Sequence, residues 1–150
     1  MAGKYVSVQL HIIWSTVHRE PWISRKWKDE LYGYLGVIVQ DKGGRLLRAG
    51  GTADHVHACV AMPPTVTVGS LVHAMKSSSS RWVQETHLKR KTVSWQKGYG
   101  AFGVSKSAEA DVCRFILDQE EHHRMWSFQE EFLSLLRLHK MAYDPRSLWD

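Results

Sequence analysis

A chain of 150 residues, 43% hydrophobic and 23% charged, suits one domain with an ordinary core and excludes a low-complexity or disordered polymer. No apolar run reaches membrane-span length, no signal-peptide pattern opens the chain, and two cysteines, Cys59 and Cys113, exclude a disulfide framework and a zinc ribbon, so a cytoplasmic protein with reduced thiols and no membrane contact is expected. The net charge of +5 favours a polyanionic partner, because summed positive potential steers phosphate backbones.

Tyr5 to Trp14 alternates in polarity. Val6, Val8, Leu10, Ile12 and Trp14 fall on one face and Ser7, Gln9 and His11 on the other, the period of a half-buried strand. His11 is expected beside any site on that polar face rather than in it. His18-Arg19-Glu20-Pro21-Trp22 reads as a surface loop with a tucked tryptophan. Ser24 is placed to cap a helix to about Lys42, with Trp27, Leu31, Tyr34, Leu35 and Ile38 at helical spacing, and Gly43-Gly44 ends it. Arg45 to Ala49 predicts a short strand, Gly50-Gly51 a turn, and Asp54 to Met62 a second strand paired antiparallel with the first. Pro63-Pro64 stops the ladder.

Within that second strand His55 and His57 point the same way, while Val56, Ala58 and Val60 point into a core. Two imidazoles on a rigid strand are able to hold a divalent metal through neutral nitrogens. The bare pattern is short and common, and by itself describes a strand with two hydrogen-bonded histidines.

A helix follows from about Thr67 to Thr86, with Val68, Leu71, Val72, Met75 and Trp82 as its buried stripe. Its other side carries His73, Lys76, Ser77, Ser80, Arg81 and Gln84, which suits a phosphate track as well as a merely solvated face. Trp95-Gln96-Lys97-Gly98-Tyr99-Gly100-Ala101-Phe102 predicts a glycine-punctuated strand in which Trp95 or Tyr99 either stacks on bases or packs in the core. Lys76, Arg81, Lys97 and Tyr99 are the candidate DNA contacts. Ser107 is placed to cap a helix to about His123, with Val112, Phe115, Ile116 and Gln119 on one side. Ser127-Phe128-Gln129-Glu130 fits a capping box opening a last helix, whose Phe128, Phe132, Leu135 and Leu136 need burial and hint at a partner subunit.

The order β-α-β-β-α-β predicts an α+β, ferredoxin-like (split βαβ, RRM-like) fold. It has a four-stranded antiparallel sheet with two helices on one face and the added helix 107–123 on the other. Residues 1–150 are read as one domain, with 127–150 as a C-terminal helical extension. Central first and third strands gather His11, His55 and His57 on the polar face, and the added helix brings Gln119 as a third donor for Mg²⁺ or Mn²⁺.

His55-Val56-His57, the segment Trp95 to Phe102 and Asp118-Gln119-Glu120-Glu121-His122-His123 together resemble the transposases of the insertion-sequence 200/605 group, the single-tyrosine HUH transposases (His, hydrophobic residue, His). The likeness runs through nearly the whole chain in the right order. It implies a transposase that binds hairpin-bearing single-stranded DNA and cleaves and rejoins it through a 5′-phosphotyrosine link, with a divalent metal, Mg or Mn, on His55, His57 and Gln119. It also implies a homodimer with shared active sites. The nucleophilic tyrosine of that family lies four residues before the glutamine, on the same helix face.

That position holds Phe115. A phenyl ring has no hydroxyl to attack phosphorus, so this chain is expected to hold metal and DNA without cutting. A deliberate Tyr-to-Phe replacement and a natural relative that has lost cleavage both fit. Two rivals differ in class. A non-catalytic RRM-like nucleic-acid-binding module or DNA-binding regulator needs exposed aromatics on the central strands, where Ser7, Gln9, His11, His55 and His57 stand instead. A zinc hydrolase needs an acid such as Asp54 or Glu120 beside the histidines, although Asp54 is expected to point away from His55.

Overall fold

The structure, a computed structural model, describes residues 1–89 and 93–149. Strands β1 (Gln9–Ser15), β2 (Arg45–Gly51), β3 (His55–Ala61) and β4 (Gly100–Val104) form one antiparallel sheet in the order β2-β3-β1-β4. Helices α1 (Lys28–Asp41) and α2 (Val68–Val83) cover one face. The other face carries α3 (Glu109–Leu117), α4 (Gln119–His122) and α5 (Phe128–Leu138). This is the expected split βαβ, ferredoxin-like arrangement with a second helical layer added.

Alternation divides the sheet between two cores. Ile12, Trp14, Val56, Ala58 and Val60 pack with Leu31, Leu35, Leu71 and Met75 in the larger one. The opposite face places His11 across from Cys59, Ile13 from His57 and Ser15 from His55. There Ile13 and Phe102 meet Phe128 and Leu136 of α5. Of the apolar stripe of the last helix, Phe128 and Leu136 are therefore buried within its own chain, and Phe132 and Leu135 are partly buried there. The capping box at Ser127 and Glu130 is formed as expected.

Several boundaries differ from expectation for identifiable reasons. Strand β1 begins at Gln9 and leaves Tyr5, Val6 and Val8 exposed, because its partner β3 ends before Pro63-Pro64. Gly50-Gly51 is not the turn but the end of β2, and residues 52–54 make the turn. A Cβ on Gly50 would lie 2.3 Å from the Ile116 carbonyl oxygen, so the missing side chain lets the backbone of α3 lie directly on β2. The segment from Trp95 is a strand only from Gly100; Trp95 makes a single bridge to Thr16. Ser107 sits in a 3₁₀ turn before α3 and does not cap it. The single helix expected over 107–123 is broken at Asp118, which has non-helical dihedrals. Ser24 starts a turn, accepting from Trp27 and Lys28 at its carbonyl, and α1 proper follows from Lys28.

Cys59 on β3 and Cys113 on α3 are free thiols, and burial together with the neighbouring Cys113 pushes the Cys59 thiol up to about 12. No helix among the described residues is long and apolar enough to cross a membrane.

Candidate metal centre

Strand β3 presents His55 and His57 to the added helical layer, both fully buried. The break at Asp118 turns α4 so that Gln119, 1% exposed, reaches them, with its Oε1 2.9 Å from His55 Nε2. One turn further, His123 sets its Nε2 3.1 Å from the same oxygen. Helix α5 supplies Glu131, also 1% exposed. Its Oε1 lies 2.8 Å from His57 Nε2, 3.2 Å from His123 Nε2 and 3.8 Å from His55 Nε2, and its Oε2 accepts from Gln119 Nε2 at 3.0 Å.

Each imidazole is oriented from behind. His55 Nδ1 donates to Asp54 Oδ1 at 2.7 Å and His123 Nδ1 to the Trp126 carbonyl at 2.6 Å. His57 Nδ1 lies 2.7 Å from His11 Nε2. These outer contacts turn the Nε2 atoms of His55 and His123 inward, as outer-sphere partners do for metal-bound histidines. One ligand atom each from His55, His57, His123 and Glu131 lies within 4.8 Å of the others. Two ligands about 2.1 Å from an ion stand about 3.0–3.4 Å apart in octahedral or tetrahedral arrangement, and the separations given above bracket that range. The residues present therefore fit a divalent metal.

Burial and hydrogen bonding set the charges. Burial pushes the Glu131 carboxyl up, but hydrogen bonds from His123 and His57 outweigh it and hold the group well below the usual carboxylate range. Burial lowers His57 to about 4, against the opposing pull of Glu131, and lowers His11 to about 3 with help from His57. For His123 burial acts downward, yet the hydrogen bond to Glu131 and its charge leave the imidazole above its ordinary value. Burial also opposes ionisation of Asp54, and the bond from His55 overcomes it, so that carboxyl lies below its ordinary value.

These shifts carry a pH dependence for the metal-free chain. Below pH 6.5 the unfolded state protonates His11 and His57, whereas the folded state resists until about 3 and about 4. Their contribution is complete above pH 6.5 and declines as acid is added, and that of Glu131 declines below its ordinary value of 4.5. His123 acts in the opposite sense: its contribution is complete below pH 6.5 and is lost as pH rises through its raised value. With three groups against one, the urea midpoint in chelator is expected to fall steadily from pH 7 to pH 4; a midpoint flat across that window contradicts the assignment.

Phe115 lies one turn before Gln119, with its ring 5.8 Å from that of His57, 6.1 Å from His11 and 4.8 Å from His122. It also lines a cleft of about 540 Å³ with His11, Phe102, Val112, Leu138 and His139. The four candidate DNA contacts lie elsewhere. Lys76, Lys97 and Tyr99 border one groove of about 450 Å³ along α2, and Arg81 is exposed outside its lining. Lys76 directs its ammonium at the carbonyls of Gln96, Lys97 and Gly98, at 2.6, 3.3 and 2.9 Å, which uses its three donors to hold that loop. Burial lowers its pKa to about 8. Trp95 packs on Trp14 and Trp22 and donates to Ser79 Oγ, so its ring belongs to the core.

Neither acid of the hydrolase rival enters the donor set. Asp54 does not point away from His55 as expected, but holds its outer nitrogen. Glu120 pairs with Lys28 and Arg25 at the surface. The aromatic face of an RRM-like module is also missing, because the central strands are covered by the added helices. His123 and Glu131 were not among the sequence candidates, yet each carried a signal. His123 is four residues after Gln119 and so on its helix face, and Glu131 is the one acid on the stripe Phe128, Glu131, Phe132, Leu135.

A family model described as "Transposase IS200 like" matches residues 4–119. The transposases for insertion sequence element IS200 of Salmonella typhimurium and Salmonella typhi are each 28% identical over 120 residues, spanning 77% of this chain and 78% of theirs. A crystal structure from Deinococcus radiodurans R1, assigned as a transposase, superposes with a TM-score of 0.64 at 25% identity, covering 79% of this chain and 95% of the other. A REP-associated tyrosine transposase bound to a REP hairpin superposes with a TM-score of 0.61 at 11% identity, covering 82% and 73%, which speaks to the fold alone.

Proposed function

This chain belongs to the IS200-like transposase family, and on that premise we propose that it binds single-stranded DNA folded into hairpins without forming a covalent bond to it. Family membership supports a DNA transposase function of the HUH type. The finer reading has His55, His57 and Gln119 holding magnesium or manganese in a cytoplasmic protein. When bound, such an ion supplies polarisation of a phosphate oxygen. His11 and Asp54 orient the two strand histidines, and α3 and α4 present one helix turn to them.

The observation that carries the reading is the phenyl ring of Phe115 beside His57 and His11, one turn from Gln119, where the resemblance calls for a tyrosine. The tyrosines of the chain stand elsewhere. Tyr32 and Tyr34 are on α1, Tyr99 borders the α2 groove, and Tyr5 and Tyr143 are exposed near the termini. A hairpin as ligand is supported by the protein of the same fold that was solved bound to a REP hairpin. The reading extends to a homodimer with shared active sites, although one chain here brings Gln119 to its own His55. A monomeric mass at micromolar concentration contradicts that extension alone.

Fluorescence anisotropy with a hairpin-bearing strand and an unstructured strand of equal length tests the binding. The hairpin is expected to bind tighter, with affinity falling by about an order of magnitude or more between 50 and 200 mM salt as phosphate contacts are screened. Equal, salt-insensitive binding of both strands contradicts the proposal.

A further inference from the structure

The family match ends at residue 119, yet two of the donors around the histidine pair, half-buried His123 and buried Glu131, lie beyond it. We propose that His55, His57, His123 and Glu131 together hold a transition-metal dication in preference to magnesium, and that the bound ion fastens helix α5 to the sheet. The inference deepens the metal part of the preceding reading, and rests on it only in placing an ion at the His55–His57 pair.

The donor set points to an ion because acceptors face acceptors. His55 gives its Nδ1 proton to Asp54, so its Nε2 lone pair meets the carbonyl oxygen of Gln119 at 2.9 Å. His123 gives its Nδ1 proton to the Trp126 carbonyl, so its Nε2 meets the oxygens of Gln119 and Glu131 at 3.1 and 3.2 Å. The Gln119 amide is not free to turn over, since its nitrogen donates to Glu131 Oε2 and to the Phe115 carbonyl. A proton on His123 Nε2, donated to Glu131 Oε1, relieves one of these contacts in the metal-free chain, and a dication among the donors relieves both. His57 adapts without moving, because His11 stands ready to accept from Nδ1 once Nε2 is a ligand.

The donor types choose the ion. Three imidazoles and one carboxylate match a borderline cation such as zinc, whereas magnesium prefers oxygen and keeps its water. An ion taking more than four ligands has the Gln119 oxygen within reach of the same set. Because His55 and His57 come from β3, His123 follows α4 and Glu131 comes from α5, binding ties the C-terminal helix to the central strand.

The full chain, freed of metal with a chelator, is titrated with Zn²⁺, Mn²⁺ and Mg²⁺ by calorimetry and its metal content measured after desalting. One equivalent of Zn²⁺ is expected to remain, with Mg²⁺ lost, and Glu131→Gln and His123→Gln are each expected to weaken Zn²⁺ binding by more than the 10- to 100-fold typical of losing an outer-sphere partner, roughly. Hydrogen exchange on the unaltered chain provides a readout independent of folding of the variants: Zn²⁺ is expected to slow exchange across residues 128–138. Zn²⁺ affinity unchanged in both folded variants, Mg²⁺ bound as tightly as Zn²⁺, or exchange in α5 indifferent to Zn²⁺ overturns the proposal. Hairpin binding measured on the same samples separates the two readings, since its failure with Zn²⁺ retained removes the DNA function and leaves the metal site standing.

Discussion

Replacing Glu131 with alanine is expected to cost the metal-free chain about 3–5 kcal/mol of stability, the range for removing one partner of a buried charged pair. The carboxylate receives hydrogen bonds from His57, His123 and Gln119 with 1% of the residue exposed. Its removal leaves the Nε2 of buried His57, the Nε2 of half-buried His123 and the amide nitrogen of buried Gln119 without this acceptor. Domains of this size are stable by only about 5–15 kcal/mol, so the loss is a large share of the total. Urea denaturation at pH 7 in chelator reads it directly. Glu131→Gln keeps the volume and one acceptor oxygen and is expected to lose less. A loss below about 1 kcal/mol for the alanine variant shows that the network contributes little to folding.

The second large effect is a gain. Phe115→Tyr is expected to convert a chain that forms no covalent adduct into one that does, a change on the order of 10³-fold or more in adduct formation. In the step restored, the phenolic oxygen forms a bond to phosphorus, the bond from phosphorus to the 3′ oxygen breaks, and that oxygen leaves as a hydroxyl carrying a proton. The 5′-phosphate stays on the protein. Phe115 already borders a cleft with His11 and Val112, and its ring lies 5.8 Å from that of His57, so a hydroxyl added there enters the neighbourhood of the donor set without redesign of the helix. Denaturing gels of labelled hairpin DNA with Mn²⁺ or Mg²⁺ show the adduct as a slow band. Absence of that band from a folded, DNA-binding Tyr variant shows that more than the hydroxyl has been lost.

Much of the molecule was legible because its signals are local. Alternation in β1 and β3 put the histidines on one face, and the stripe on α2 and the capping box at Ser127 marked their helices. Gln119 was reachable because strand order and one leftover helix together left it a single face to cover. What stayed hidden depended on tertiary packing. Glu131 sits beside Glu130, whose capping role explains an acid at that point in the chain, and only the docking of α5 shows which of the two turns inward. The break at Asp118 interrupts a helical pattern that continues without a Gly or Pro. Lys76 read as a phosphate contact because nothing local shows that the loop of Gln96 to Gly98 folds over it. Gly50 read as a turn because the close approach of α3 is made by residues far along the chain.

The most direct test of the account is the intact mass of the unaltered protein after incubation with hairpin-bearing single-stranded DNA and Mn²⁺. The expected result is an unchanged protein mass under denaturing conditions, from a sample in which the DNA is bound under native ones. A mass increased by a covalently held DNA fragment contradicts it, because some group other than residue 115 would then be the nucleophile.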